Sequence, residues 1–147
     1  IERLADEGIP ISLSISLHAP TDELRSRIMP VNRRYPLADV MRAARHYAVR
    51  TKRRITYEYI LIRDVNDGVR AAEQLAALLR GRLASVNLIP INPVAERNLH
   101  RPSSNVIRRF QRTLEERHIT ATLRREMGTD IQAACGQLRN RLLEAGL

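Results

Sequence analysis

The 147 residues contain one cysteine, one phenylalanine and no tryptophan, and Lys52 is the only lysine. A single thiol, Cys135, rules out an internal disulfide framework and any metal site built from several thiolates of this chain. One phenylalanine and four tyrosines leave few platforms for base stacking, which argues against a stand-alone single-strand-binding module. No apolar run approaches the roughly 18 residues of a membrane span, and the amino terminus has no basic-then-apolar signal pattern. The expectation is a cytoplasmic protein with no membrane partner. No repeat, low-complexity tract or linker interrupts the chain, so residues 1–147 read as a single unit.

What is present suits a folded domain. Hydrophobic residues make up 44% and charged residues 28%, too apolar for a disordered chain. Twenty-five basic residues against 16 acidic ones give a net charge of +9. The arginines recur along the chain, at Arg33-Arg34, Arg50 to Arg54, Arg108-Arg109, Arg124-Arg125 and Arg139 with Arg141. Such a spread suits RNA or another phosphate-rich partner. A codon bias towards arginine produces the same count without a ligand, and composition leaves both readings open.

Periodicity gives an alternating order. Ile11 to Leu17 alternates apolar residues with serines and predicts a strand. Thr21 caps a short helix that runs to about Met29, where Pro30 stops it. A second helix starts near Pro36, its stripe of Leu37, Val40, Met41, Ala44 and Tyr47 facing a core. Arg54 to Ile62 is a strand rich in β-branched and aromatic residues. Asp64 to Gly68 supplies turn and cap chemistry for a helix through Ala71, Leu75, Leu78 and Leu79. Ser85 to Ile91 is a third strand, followed by a long polar loop from Val94 to Pro102. Ser103 or Ser104 caps a helix through Val106, Ile107, Phe110 and Leu114, and Ile119 to Leu123 is a fourth strand. With Asp130 as cap, Ile131, Ala134, Cys135, Leu138 and Leu142 share one face of a last helix. Strands alternating with helices imply an α/β architecture with a mainly parallel sheet. Ile1 to Glu7 looks like the tail of a helix, and a four-strand piece opening in mid-pattern suggests part of a larger sheet or barrel.

Three positions stand out for chemistry. His18 lies just past the first strand and Asn92 just past the third, and ligands collect at the carboxyl ends of parallel strands. Their structural readings are a histidine bonded to nearby backbone and an ordinary turn asparagine before Pro93. Cys135 fits the apolar face of its helix as a buried structural residue. It also lies near a helix start and between Arg124-Arg125 and Arg139, features that lower a thiol pKa. Spacing alone does not choose between them.

Six segments in one order carry a resemblance. They are Ser16-Leu17-His18-Ala19-Pro20, Met29-Pro30-Val31-Asn32, Tyr57-Glu58-Tyr59, Asp64-Val65-Asn66-Asp67, Asn87-Leu88-Ile89-Pro90 with Asn92-Pro93, and Asp130 through Cys135 to Leu138. Together they resemble the RlmN family of radical S-adenosylmethionine (SAM) enzymes, which methylate carbon 2 of adenosine in 23S rRNA and tRNA. The resemblance covers nearly all of the chain and implies the C-terminal part of a partial (β/α) barrel with SAM at the strand ends. It implies that Ser16, Leu17, His18 and Asn92 contact SAM and that Cys135 is the cysteine that becomes methylated. A second SAM, cleaved at a [4Fe-4S] cluster, then gives a radical that takes hydrogen from the S-methyl group. The carbon radical attacks the adenine, and a second cysteine releases the product by forming a disulfide. A reducing protein such as flavodoxin would supply electrons.

The chemistry of the residues agrees in part. A thiol must lose its proton before it can accept a methyl group by displacement, and a positive surface draws RNA in by counterion release. The family's CxxxCxxC cluster motif does not occur in residues 1–147. That motif, the resolving cysteine, the Gly-Glu SAM contact and the acidic base are expected upstream. The chain alone is therefore expected to hold no cluster, to be inactive, and to have an exposed sheet edge that limits its stability. Three other readings compete: a carbon-8 methyltransferase of the same superfamily, a non-catalytic basic RNA-binding domain, and a plain α/β scaffold.

Overall fold

A computed structural model describes residues 1–92 and 99–124. Within them the chain folds as a four-stranded sheet in the order β1-β2-β3-β4, with every neighbouring pair parallel. The strands are β1 (Leu13–Ser16), β2 (Ile55–Leu61), β3 (Ala84–Pro90) and β4 (Thr120–Leu123). The helices are α1 (Glu2–Asp6), α2 (Asp22–Ile28), α3 (Leu37–Thr51), α4 (Val69–Leu79) and α5 (Ser104–Glu115). Strand order equal to chain order, with a helical crossover between successive parallel strands, is the arrangement of a β/α barrel wall. The expected α/β class and parallel sheet are thus present.

Local chemistry sets the helix boundaries. Thr21 Oγ1 accepts from the Leu24 amide at 3.3 Å, and Ser103 Oγ from the Val106 amide at 3.4 Å, so both expected caps form. Helix α3 buries Leu37, Met41, Ala44 and Tyr47 at helical spacing, with Val40 packed against the same core. Its Tyr47 hydroxyl donates to the Ile11 carbonyl at 2.9 Å, which satisfies the one polar atom of a buried ring. Strand β1 is shorter than the alternation suggested, beginning at Leu13 because the chain turns tightly before it, the Ile11 amide donating to the Ile9 carbonyl. One element escaped the periodicity altogether, a 3₁₀ turn over Pro30–Arg33. Four residues are too few to show a period, and Pro30 marks only the end of α2. The predicted helix carrying Cys135, and residues 93–98 of the predicted loop, lie outside the described residues.

The sheet has two unlike faces. Along β2 burial alternates strictly, with Ile55, Tyr57, Tyr59 and Leu61 buried. These join Ile15, Val86, Leu88 and Ala121 of the other strands and the apolar faces of α3, α4 and α5 in one core. Phe110 of α5 packs on Tyr59, ring centroids 5.2 Å apart, a separation at which aromatic pairs attract beyond simple area burial. None of the residues of opposite parity is fully buried. Register lines them up in rows: Ser14, Thr56, Ser85 and Thr120, then Ser16, Glu58, Asn87 and Thr122. The open face is therefore almost wholly polar at the level of these two rows.

Candidate functional site at the strand ends

The stretch Ser16-Leu17-His18 closes β1 at the carboxyl edge of the sheet. Two buried side chains hold it from opposite sides. Arg25, 3% exposed, donates through Nε to the Leu17 carbonyl at 3.0 Å and through Nη2 to the Ser16 carbonyl at 3.2 Å. Its Nη1 reaches Asn32 Oδ1 at 2.6 Å and the Tyr35 carbonyl at 3.1 Å. Asn32 in turn donates to Asp22 Oδ1 at 3.0 Å and to Ser26 Oγ at 2.8 Å. The guanidinium makes no direct ion pair among the described residues, and its charge is spread over carbonyl dipoles and relayed through Asn32 to an acidic residue. Burial nevertheless lowers its pKa, with Asp22 opposing.

Asn66 grips the other side. It is 1% exposed, and its Nδ2 donates to the His18 carbonyl at 2.9 Å and the Ile60 carbonyl at 2.6 Å. Its Oδ1 accepts from the Ile62 amide at 2.8 Å, and its own carbonyl accepts from the buried Tyr59 hydroxyl at 2.9 Å. One amide side chain ties the ends of β1 and β2 together. With three of its side-chain bonds reaching main-chain groups, no other residue type reproduces the pattern.

His18 has a left-handed backbone, φ 61°, a conformation in which histidine is enriched relative to most side chains. That turn ends the strand and swings the ring back, so that Nδ1 accepts from the Ile60 amide at 3.2 Å. The side chain takes the place of the carbonyl a longer strand would have offered. The backbone bond of the structural reading is present, and it fixes the tautomer. With Nδ1 an acceptor, the neutral ring carries its proton on Nε2, which has no protein partner among the described residues. Burial lowers the His18 pKa, Glu58 opposes through its charge, and Arg25 adds to the lowering.

A neutral His18 at pH 7 is the expected outcome, checked by nitrogen-edited NMR of the imidazole. The ring should show the Nε2–H tautomer and titrate below the usual 6.5. A folded pKa below the unfolded one means that the unfolded chain binds the proton first. The stabilisation from His18 is then complete above about pH 6.5 and is lost as pH falls through the lower folded value. Titration at or above 6.5 would contradict the bond at Nδ1.

Asn92 is exposed and follows Ile91, whose amide donates to the Leu61 carbonyl at 3.0 Å. His18 and Asn92 thus share the carboxyl-end rim, with β2 between their strands. Ser16 Oγ lies 3.5 Å from Glu58 Oε2 on the open face, and the Glu58 carbonyl accepts from both the Leu17 and His18 amides. Glu58, Asn87, Arg25, Asn32 and Asn66 are parts of the site that reading the sequence did not single out individually. The signal for the first two was parity, since both occupy polar positions within alternating strands.

Among the described residues no group of three or more His, Cys, Asp or Glu side chains is placed to hold a metal ion. A shallow concavity lined by Arg42, Arg45, His46, Val49 and Arg50 lies on α3, not at the strand ends. Its charges are largely neutralised, Arg42 by Glu2 and Asp39, and Arg50 by Asp6. No described helix is long and apolar enough to cross a membrane.

Comparison with known proteins fits this geometry. No family model matches the chain. Over 142 residues it is 61% identical to a Symbiobacterium thermophilum protein named "Probable dual-specificity RNA methyltransferase RlmN", covering 96% of this chain and 38% of that protein. A protein of the same name from Caldanaerobacter subterraneus subsp. tengcongensis is 51% identical over 146 residues, covering 99% and 43%. The crystal structure of a radical SAM methyltransferase from Sphaerobacter thermophilus superposes with a TM-score of 0.89 at 51% identity, over 92% of this chain and 40% of that one. A domain of a pyruvate-formate lyase-activating enzyme from Bacteroides vulgatus shares the fold alone, with a TM-score of 0.67 at 18% identity over 85% and 75%. The chain is therefore similar in sequence to proteins named RlmN and in structure to a radical SAM methyltransferase, and it spans about two fifths of their length.

Proposed function

We propose that this chain is the C-terminal part of a radical SAM RNA methyltransferase that modifies carbon 2 of adenosine in 23S rRNA and tRNA. The observation that carries the reading is the Ser16-Leu17-His18 stretch, locked by Arg25 and Asn66 at the strand ends beside an open polar face. Ligands of parallel α/β sheets and barrels bind at that edge. The carbon-8 reaction and a purely RNA-binding role have no observation in their favour.

The residues present fit SAM. Ser16, Leu17, His18 and Asn92 would hold it, with the His18 Nε2–H as a donor and the Glu58 carboxylate on the same face as the natural counterpart of a cationic ligand. SAM, when bound, supplies an electrophilic methyl group. The proposed acceptor is Cys135. As a thiolate, Cys135 would accept that methyl group by displacement. Loss of the thiol proton would come first, and Arg124-Arg125 and Arg139, on either side of it in the sequence, would favour it. The [4Fe-4S] cluster is different. One cysteine in the chain does not fit its ligand set, so cluster ligands would come from residues beyond this chain. In the complete protein a reducing partner such as flavodoxin would act on that part, and the location would be cytoplasmic.

The test is intact mass, iron content and a peptide map around Cys135 for the native gene product purified without oxygen. The expected result is a protein longer than 147 residues, with iron, and a Cys135 peptide heavier by one methyl group. A product without iron and with an unmodified Cys135 would overturn the catalytic reading.

A further inference from the structure

The chain has five aromatic side chains, and four of them are spent on the core. Tyr47, Tyr57, Tyr59 and Phe110 are among the largest fully buried side chains, whereas Tyr35 is 50% exposed. The guanidinium of Arg34 sits 5.6 Å from the Tyr35 ring centroid. Arg33 and Arg34 are both exposed, and neither has a carboxylate partner among the described residues. Arg42, Arg50, Arg112 and Arg117 all have one. Other exposed arginines, Arg45 and Arg53 among them, also lack a carboxylate partner among the described residues, and what sets this pair apart is the exposed tyrosine ring beside it.

The location gives this patch meaning. Residues 29–36 belong to the crossover from β1 to α3, so they lie on the carboxyl-end rim of the sheet. Their backbone is held in place. The same Arg25 guanidinium that binds the Ser16 and Leu17 carbonyls also binds Asn32 and the Tyr35 carbonyl. One buried cation therefore fixes the distance between the candidate SAM-contact stretch and the exposed pair.

We propose that Arg33, Arg34 and Tyr35 form an RNA-docking rim, the arginines on backbone phosphates and the tyrosine ring stacked on an unpaired base near the target adenosine. The inference rests on the RNA methyltransferase reading above. Unpaired RNA is recognised chiefly by stacking its splayed bases on aromatic rings or guanidinium planes. Arginine adds a planar donor fork that matches phosphate geometry. An Arg34 already placed over Tyr35 presents both contacts with little reordering.

The test is RNA affinity of the complete protein for an RNA hairpin with adenosine in its loop, measured over a range of salt concentrations. Variants are the double change Arg33→Ala with Arg34→Ala, the single changes Tyr35→Ala and Tyr35→Phe, and Arg45→Ala on α3 as control. The backbone bond from Arg25 to Tyr35 survives every one, and unchanged thermal unfolding would show it. Removing two phosphate contacts should weaken binding at least about tenfold at low salt and reduce the slope of log affinity against log salt by about 1.4. Tyr35→Ala should cost about tenfold with the slope unchanged, as loss of one stacked base does. Tyr35→Phe should restore binding, and Arg45→Ala should leave it unaltered. Full RNA affinity in both the arginine and the alanine variants would overturn the rim while leaving the methyltransferase reading intact. No RNA binding by the unsubstituted protein would overturn that reading and the rim with it.

Discussion

Replacing Arg25 by methionine is expected to destabilise the domain by about 4 kcal/mol and to loosen the edge of the sheet where SAM is proposed to bind. Methionine matches the aliphatic stem but removes four donated hydrogen bonds, to the carbonyls of Ser16, Leu17 and Tyr35 and to Asn32 Oδ1. Each buried acceptor left unpaired costs about 1–3 kcal/mol. Relief of the desolvation penalty of a buried cation offsets part of that sum, which is why the total stays below the simple addition. Arg25→Lys is the sharper comparison. It retains the charge, but an ammonium is a point and the guanidinium is a fork. It can satisfy the carbonyl at one end and not those at the other, so it should recover less than half of the loss. Urea unfolding midpoints give the stabilities, and SAM affinity of the complete protein gives the second readout. A methionine variant within about 1 kcal/mol of the parent would show that these acceptors find water or other donors, since surface substitutions away from such features fall in that range.

Arg25 also shows what a sequence conceals. Periodicity placed every strand and all the longer helices among the described residues, because an apolar stripe repeats over several turns or pleats and each repeat adds to the signal. Leu37, Met41, Ala44 and Tyr47 spell out α3 without help from elsewhere. A buried arginine does the reverse, sitting on a short helix amid charged neighbours where an exposed residue is the better guess. Its partners lie 7 to 10 residues away on either side, two at the end of β1 and two in a turn with no period of its own. The segments Ser16–Pro20 and Met29–Asn32 become intelligible only as the two ends of one hydrogen-bond network. His18 was legible as a strand-end residue, but not its Nδ1 bond to Ile60, which joins residues 42 apart. The polar rows were half legible, since alternation assigns Ser16, Glu58 and Asn87 to one parity, while their alignment across three strands needs the register. For Cys135 the sequence offered two environments, and its role rests on the proposal above.

Asn66 offers the second large effect and a pH signature that separates it from ordinary loss of packing. Asn66→Ala is expected to cost about 3 kcal/mol, because it leaves the carbonyls of His18 and Ile60 and the amide of Ile62 without their partner in a buried turn. Asn66→Asp keeps the shape and is expected to be worse at neutral pH. It places a carboxylate oxygen where an amide nitrogen now donates at 2.9 and 2.6 Å to two carbonyl oxygens, turning two attractions into two repulsions. Burial, those carbonyls and the neighbouring Asp64 and Asp67 all favour the protonated form of the introduced carboxyl. Its folded pKa therefore lies above its unfolded one, the folded state holds the proton more tightly, and stability falls as pH rises through that interval. Lowering the pH from 8 to 5 should narrow the gap between the Asp variant and the parent, while the gap for Asn66→Ala stays constant. Asp67, whose own pKa is raised by burial, contributes a similar slope to all three proteins and largely drops out of the difference. Unfolding midpoints across that range decide the matter, and a gap for Asn66→Asp that does not change with pH would mean that water enters the turn and replaces the amide.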